Sequence, residues 1–255
     1  MEKTVVIIGL GQLGRVFAGG LLRTGHTVVP VNRGDDMERV AARWPQPKLA
    51  LVAVAEADLH PVLKALPAAW RDRVGLLQNE LLPRDWQAHA IANPTVVSVW
   101  FEKKKGTDAK PLLPSPVHGP QARLLVDALT SIELPARSVA EAEQMLWELV
   151  RKNLYILTTN IAGLEVGGTV GELWEKHRAL AEAVANDVLD LQEALTGRPF
   201  DRAALMQGML EAFAADPQHG CAGRTAAARL ARALKLADAL GLAVPKLRQI
   251  RSSKA

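Results

Sequence analysis

A glycine-rich segment near the N-terminus has the residue types and spacing that bind phosphate groups. Its glycines follow the β-branched run Thr4–Ile8 and precede an apolar helical pattern over Arg15–Arg23. Such glycines allow a tight turn, close approach of the backbone to a diphosphate and close helix–strand packing, while the helix N-terminus offers free N–H groups. The predicted dinucleotide-binding residues are Gly9, Gly11, Gln12, Leu13 and Gly14. The alternative is a strand-to-helix turn that binds nothing.

The end of the second predicted strand, His26–Val31, bears on which dinucleotide binds. Asn32 and Arg33 occupy the positions where an acidic residue would accept a hydrogen bond from the ribose 2′-OH of NAD. An arginine pairs with a phosphate through two parallel hydrogen bonds. We therefore expect NADP(H) as cofactor, with Asn32 and Arg33 in its site. Asp35 and Asp36 lie just beyond and count against this choice, and an arginine in plain surface contact with solvent is the alternative.

Two further positions supply polar side chains that could take part in a reaction. Asn79 follows the predicted strand Val74–Leu77, and ligands bind beyond the carboxyl ends of such strands. Asn79 therefore contacts a nicotinamide or a substrate, or else shapes a turn. Lys152 and Asn160 are eight positions apart on one predicted helix and so point to a similar side. A lysine facing a cleft has a lowered pKa and donates a proton near neutrality, although a solvated lysine is the commoner case.

The segment from Asp216 to Thr225 places His219, Cys221 and Arg224 in a glycine-punctuated turn before a predicted helix. A helix N-terminus with an arginine suits a carboxylate, so His219 and Arg224 are candidate substrate-binding residues. The alternative is an ordinary capping loop. The single cysteine excludes an internal disulfide and a zinc site built on several cysteines. We predict no metal site, and the P-loop, HExxH, GxSxG and EF-hand patterns do not occur.

Strand-like runs alternate with helical patterns over the first half of the chain, which predicts an α/β fold with a Rossmann, doubly wound parallel sheet. The predicted strands are Thr4–Ile8, His26–Val31, Leu49–Val54, Val74–Leu77 and Val96–Phe101, and the helices are Arg15–Arg23, Asp36–Arg43 and Leu59–Leu66. The second half has helical spacing throughout, with predicted helices at about 141–163, 170–196, 201–214 and 223–241. We therefore predict an NADP-binding domain at 1–138 and an all-helical substrate and dimerisation domain at 139–255.

The composition and charge of the chain indicate which classes of binding partner to expect. Among 255 residues, 31 basic and 27 acidic side chains give a formal net charge of +4, which does not single out nucleic acid as a partner. No apolar run reaches the ~18 residues that span a membrane, and no secretory leader pattern is present. We expect a cytoplasmic protein with a small-molecule substrate and no nucleic-acid or membrane partner. The Ala- and Leu-rich helices of the second half would suit a homodimer.

In the order of these features the chain resembles the ketopantoate reductase family, also called 2-dehydropantoate 2-reductases. The resemblance rests on Gly9–Gly14, Arg33, Leu77–Asn79, Leu146–Leu164 and Gly241–Pro245. It implies an NADP-binding Rossmann domain, a helical C-terminal domain and an active site between them. It also implies that Arg33 selects NADP and that Asn79 is an active-site asparagine. Lys152 would be the catalytic proton donor, and Asn160 would contact the substrate.

The chain departs from the family at four functional positions. Glu80 replaces the glycine that follows the active-site asparagine, and Ala55 replaces a lysine after the third strand. Ile156 replaces the first of two helix asparagines, and Thr225 aligns near the glutamate that binds the substrate hydroxyl. The cofactor half therefore matches the family, and the substrate half is altered.

Two functions from different classes follow. In the first, the protein is an NADPH-dependent reductase that transfers hydride to a small 2-keto acid, with Lys152 protonating the developing alkoxide. In the second, it is a non-catalytic dinucleotide-binding sensor or partner-binding relative. A dehydrogenase of the same architecture that acts on a sugar acid or an amino acid is a third possibility.

Overall fold

The structure is a computed structural model that describes residues 3–253. The chain forms two compact units, of which the first ends at Leu149 and the second begins at Val150. The division falls inside a long helix, Ala142–Val166. The domain boundary expected at 138/139 remains a prediction.

A seven-stranded sheet forms the centre of the first unit. Its strands are β1 (Thr4–Ile8), β2 (Thr27–Val31), β3 (Leu49–Val52), β4 (Val74–Leu76), β5 (Thr95–Val97), β8 (Ser115–His118) and β9 (Ala136–Ser138). A separate antiparallel hairpin consists of β6 (Phe101–Glu102) and β7 (Lys110–Pro111). The sheet order is β2-β1-β3-β4-β5-β8-β9, and every pairing is parallel except β5 with β8. The strand order reverses between β1 and β3, which is where such sheets bind ligands.

Helices cover both faces of this sheet. They are α1 (Gln12–Arg23), α2 (Met37–Arg43), α3 (Leu59–Lys64), α4 (Pro83–Gln87) and α5 (Ala122–Thr130), with short 3₁₀ helices at Glu56–Asp58 and Ala68–Arg73. One buried cluster joins the sheet to Phe17 and Leu21 of α1 and to Leu125 of α5. A second cluster on the other face contains Leu63 of α3 and Trp70. The predicted Rossmann fold class is confirmed.

Over residues 150–253, the second unit is helical apart from an isolated bridge between Thr169 and Gly220. Its helices are α6 (Ala142–Val166), which begins in the first unit, α7 (Val170–Lys176), α8 (Arg178–Thr196), α9 (Arg202–Ala215), α10 (Ala226–Leu240) and α11 (Pro245–Ser252). The buried carboxylate of Asp187 on α8 accepts a hydrogen bond from the backbone N–H of Leu247 at 2.9 Å, which attaches α11 to α8. No helix within residues 3–253 is long and apolar enough to cross a membrane.

Two predicted elements are wrong in extent. The run predicted as one strand over Val96–Phe101 leaves the sheet after β5, because the N–H of Trp100 turns to the side chain of Ser115 and Phe101 enters the β6–β7 hairpin. The helix predicted over 170–196 is two helices, because His177 has a non-helical backbone (φ −132°, ψ 33°) between α7 and α8. Buried residues on both sides, such as Leu173 and Ala181, continue the apolar pattern across this break.

Candidate functional site

The glycine loop after β1 is built so that two of its glycines are required by the protein itself. Gly9 has a φ of +95°, and its N–H donates to the carbonyl of Val31 at 2.8 Å. A Cβ on Gly9 would lie 2.9 Å from the carbonyl oxygen of Ala53, and one on Gly14 would lie 2.1 Å from that of Gly9. These two glycines therefore allow β1, β3 and α1 to approach one another closely.

Gly11 differs because no part of the protein excludes a side chain there. A Cβ on Gly11 would have no atom within 4 Å, and the residue is exposed at the N-cap of α1. No side chain caps this helix, and its first turn, which includes Gln12 and Leu13, contains no acidic residue. The open space, the uncapped helix N-terminus and the lack of negative charge fit a dinucleotide diphosphate.

A cavity of about 510 Å³ lies beyond the carboxyl ends of β1, β2 and β3. Four of the predicted cofactor residues line it: Gly9, Gly11, Asn32 and Arg33. Ala55 also lines it, whereas Asn79 and the first-turn residues of α1, Gln12, Leu13 and Gly14, do not. The cavity therefore lies where the strand order reverses, which is the region in which the sequence predicted a cofactor site.

Two acidic side chains contact Asn32 and Arg33 at the edge of this cavity. Its guanidinium Nη2 lies 3.2 Å from the Oδ2 atom of Asp58, and the Arg33 side chain is 92% exposed. The carboxylate of Asp35 accepts a hydrogen bond from the N–H of Asn32 at 2.7 Å. Asp58, 25 positions from Arg33, was missed because no sequence pattern indicates a contact at that separation.

The residues after β4 form a hydrogen-bonded corner. The side chain of Gln78 donates to the carbonyls of Val52 and Val54, at 2.8 and 3.2 Å, and so joins the ends of β3 and β4. The Nδ2 of Asn79 donates to Oε1 of Glu56 at 3.1 Å. Glu80, at the family's glycine position, has a φ of +64°. The backbone there adopts a left-handed conformation that favours glycine, although the residue is a glutamate.

Lys152, in the second unit, has a strongly lowered pKa. Its side chain is buried on α6, and burial lowers its pKa to about 7, with a smaller contribution from the positive charge of Arg229. Its ammonium lies 5.3 Å from the centre of the Tyr155 ring. An amine with a pKa near neutrality is an effective proton donor at physiological pH. Tyr155 and Arg229 were not among the candidates, and the one available signal was the spacing of three that puts Tyr155 on the lysine's side of a helix.

The loop containing His219 is attached to the start of α7 by backbone hydrogen bonds. Val170 donates to the carbonyl of His219, Gly171 to that of Pro217, and the N–H of Cys221 donates to Gly168. The His219 ring centre lies 6.3 Å from that of Tyr155. The structure thus brings His219 to the neighbourhood of Tyr155, whose ring also lies under Lys152.

A glycine on α6 permits the same loop to approach. A Cβ on Gly163 would lie 2.5 Å from the backbone nitrogen of Ala222 and 2.6 Å from the Cβ of Cys221. The neighbouring Asn160 is buried, and its amide nitrogen donates to the carbonyl of Ile156 at 2.9 Å. A Cβ added to Gly223 of the loop would lie 3.3 Å from the Oδ1 atom of Asn160. Asn160 therefore lies where the loop meets α6.

The other candidates in the loop are placed differently. Arg224 is exposed, and Thr225 is the N-cap of α10. The cationic side chain that is buried near Lys152 is Arg229 on α10, not Arg224. Burial raises the pKa of Cys221 to about 11, so its thiol is a poor nucleophile. Within residues 3–253, no cluster of three or more His, Cys, Asp or Glu side chains is arranged to hold a metal ion.

No protein-family model and no curated protein sequence matches the chain. Solved structures do match nearly end to end. A 2-dehydropantoate 2-reductase from Methylococcus capsulatus has a TM-score of 0.68 at 14% identity, with 98% of this chain and 95% of that one covered. A dimeric ketopantoate reductase from Staphylococcus aureus has a TM-score of 0.65 at 17% identity, with coverage of 98% and 96%.

A complex of D-mandelate dehydrogenase with NADH is similar to the same extent, with a TM-score of 0.68 at 13% identity and coverage of 98% and 96%. The protein therefore has the fold of ketopantoate reductases, a Rossmann domain followed by a helical region, as the sequence resemblance implied. At these identities the similarity defines the fold.

Proposed function

We propose that the protein is a nicotinamide-dependent reductase of small 2-keto acids and a divergent member of the ketopantoate reductase family. The observation that carries this proposal is the buried Lys152, whose pKa of about 7 suits a proton donor at the family's catalytic position. Support comes from the solved reductase and dehydrogenase structures of the same fold.

We infer that the first unit holds the cofactor. The glycine loop and the N-terminus of α1 would bind the diphosphate, and the cavity with Asn32 and Arg33 would take the adenosine half. Arg33 favours NADP(H) because its guanidinium would pair with a 2′-phosphate. Asp58 opposes this preference because it already pairs with the same guanidinium. NADPH over NADH is therefore the finer part of the proposal.

The bound cofactor would supply a hydride to the carbonyl carbon. As negative charge builds on the carbonyl oxygen, the Lys152 ammonium would stabilise it and then transfer its proton, which leaves a 2-hydroxy acid and a neutral amine. The Tyr155 ring beneath the ammonium stabilises the charged form by a cation–π contact. Asn79 would contact the cofactor or the substrate.

The substrate is proposed to be a carboxylate, bound with the help of Asn160 and His219. Arg224 was the predicted carboxylate ligand, and the buried position of Arg229 makes that residue the better candidate near Lys152. A homodimer in the cytoplasm remains part of the proposal, and the Staphylococcus aureus reductase of the same fold is described as dimeric.

The alternative function is a dinucleotide-binding protein without catalysis. Ala55, Ile156 and Thr225, which replace family functional residues, favour it. The experiment that separates the two functions is a screen of small 2-keto acids for oxidation of NADPH and of NADH. Turnover that is lost in Lys152→Met supports the reductase. Tight cofactor binding with no turnover on any 2-keto acid would support the alternative.

A further inference from the structure

The contact between Asn79 and Glu56 determines which end of the Asn79 amide is left for a ligand. Both side chains are half-buried, and the Nδ2 of Asn79 donates to Oε1 of Glu56 at 3.1 Å. An amide has a donor end and an acceptor end, whereas an ionised carboxylate only accepts. The nitrogen must therefore be the atom that faces Glu56, and the oxygen, Oδ1, is directed elsewhere.

The surroundings hold this arrangement in place. Glu56 begins a 3₁₀ helix directly after Ala55, at the end of β3, and Asn79 follows β4. The side chain of Gln78 joins these two strand ends: it donates to the carbonyls of Val52 and Val54 and accepts a hydrogen bond from the N–H of Leu77 at 3.2 Å. The separation between Glu56 and Asn79 is thus set by the backbone of the sheet.

We propose that Glu56 is a positioning residue that turns the Asn79 amide so that Oδ1 accepts a hydrogen bond from the carboxamide N–H of a bound nicotinamide. The proposal rests on the proposed function, since the ligand is its cofactor. It assigns a role to a residue next to the position where the family has a lysine and this chain has Ala55. Ligands lie beyond the carboxyl ends of strands, which is where Asn79 is.

The test uses pairs of ligands that differ only in the nicotinamide ring: NADPH against 2′-phospho-ADP-ribose, and NADH against ADP-ribose. Glu56→Ala releases the amide, so calorimetry should show a roughly 3- to 10-fold loss of dinucleotide affinity, the value of about one hydrogen bond. The ligands without the ring should bind as before. Glu38→Ala, which removes an exposed carboxylate from α2, is the matched control and should change neither.

An exchange of the two groups gives a sharper result. Asn79→Asp alone sets two carboxylates side by side, so dinucleotide affinity should fall at neutral pH and recover as the pH is lowered, because one shared proton restores a hydrogen bond between them. Asn79→Asp combined with Glu56→Gln lets the new amide donate to one oxygen of the new carboxylate, while the other oxygen still accepts from the ligand. Affinity should return to within about 3-fold of the parent and lose its pH dependence.

Three outcomes would overturn the proposal. Failure of the double exchange to restore affinity, in a protein that melts like the parent, would mean that the ligand needs the N–H of Asn79. Equal losses with and without the nicotinamide ring would mean that the pair only supports the fold. An unchanged Glu56→Ala would remove Glu56 from the site. If the parent protein binds neither NADPH nor NADH, the proposed function itself has failed. That result is distinct from the three above, because each of them requires a parent protein that binds the cofactor.

Discussion

Arg33 and Asp58 form an ion pair, 3.2 Å from Nη2 to Oδ2, at the edge of the cavity that both residues line. The pair is exposed to solvent, so it contributes at most about 1 kcal/mol to stability. The ion pair matters instead for how the cavity would bind a phosphate group. A 2′-phosphate entering this cavity must compete with the Asp58 carboxylate for the same guanidinium.

We expect Arg33→Ala to lower NADPH affinity by ~10-fold or more, the value of a charge-assisted pair, and to leave NADH affinity nearly unchanged. Asp58→Asn should act in the opposite direction and raise the preference for NADPH, because the guanidinium loses its competing anion. Calorimetric titration of both cofactors measures each effect. Tighter NADH binding by the parent, unaffected by Arg33→Ala, would show that the arginine does not select the cofactor.

Gly11→Val should abolish cofactor binding while the protein still folds. The protein leaves open space at this Cβ, and the added side chain would occupy the space that the diphosphate needs. Gly19→Ala is a matched control in the same helix, because its Cβ also meets nothing within 4 Å and alanine favours the helix. Calorimetry and thermal melting together check this prediction. Normal binding by Gly11→Val would mean that the loop is a structural turn.

Lys152→Met should reduce kcat for 2-keto acid reduction by roughly 10²- to 10⁴-fold, the contribution of a positioned acid. Cofactor affinity should hardly change. In the parent, kcat/KM should decline as pH rises above about 7, because the ammonium that donates the proton is then lost. Lys176 is exposed and pairs with Glu172, so Lys176→Met is the control and should keep the parental kcat. A Lys152→Met protein with parental kcat would remove this lysine from the mechanism.

The same substitution should stabilise the protein in a pH-dependent way. Lys152 has a pKa near 7 in the fold and 10.5 as a model value, so the unfolded chain binds more protons between these values. The cost of burying the ammonium is therefore full below about pH 7 and disappears as pH rises toward 10.5. At pH 6, Lys152→Met should have a higher Tm than the parent, and its free energy of unfolding should be larger by the order of a few kcal/mol. A difference between the two proteins that is constant with pH would contradict the buried ammonium.

Gly163→Ala should destabilise the second unit by roughly 1–3 kcal/mol, because the new methyl group would overlap the backbone of Ala222 and the side chain of Cys221. It should also raise the KM for the substrate, since the loop with His219 must move. Gly220→Ala lies in the same loop and meets nothing within 4 Å, so it serves as the control. Denaturant unfolding and steady-state kinetics make the comparison. Equal effects of the two substitutions would show that the approach of the loop to α6 is not critical.

The sequence predicted the features that follow from local pattern. Strands β1, β3 and β4 are β-branched or apolar runs buried on both faces, and the glycine loop has a spacing that few other turns need. β8 and β9 escaped prediction because they have four and three residues and neither contains a run of β-branched residues. α5 packs against α1 over an apolar face that is too short to stand out in the sequence.

The site itself was predictable only as far as each residue acts alone. Lys152 could be located by its position on a helix, yet its burial and the nearby Arg229 depend on contacts between α6 and α10 that no spacing records. Asp58 and Glu56 face Arg33 and Asn79 across separations of more than twenty residues. Long-range pairs of this kind are set by the strand order of the sheet, so they emerge only with the fold.

The attachment of the His219 loop to α7 has an evolutionary consequence. Three hydrogen bonds between the loop and the residues around the start of α7 join backbone atoms, so they do not depend on which side chains the loop carries. The exposed Gln218 can therefore be exchanged while the loop keeps its path, whereas the His219 ring also contacts Tyr155. Variation at this exposed position should cost little folding stability, so directed evolution of specificity should begin there.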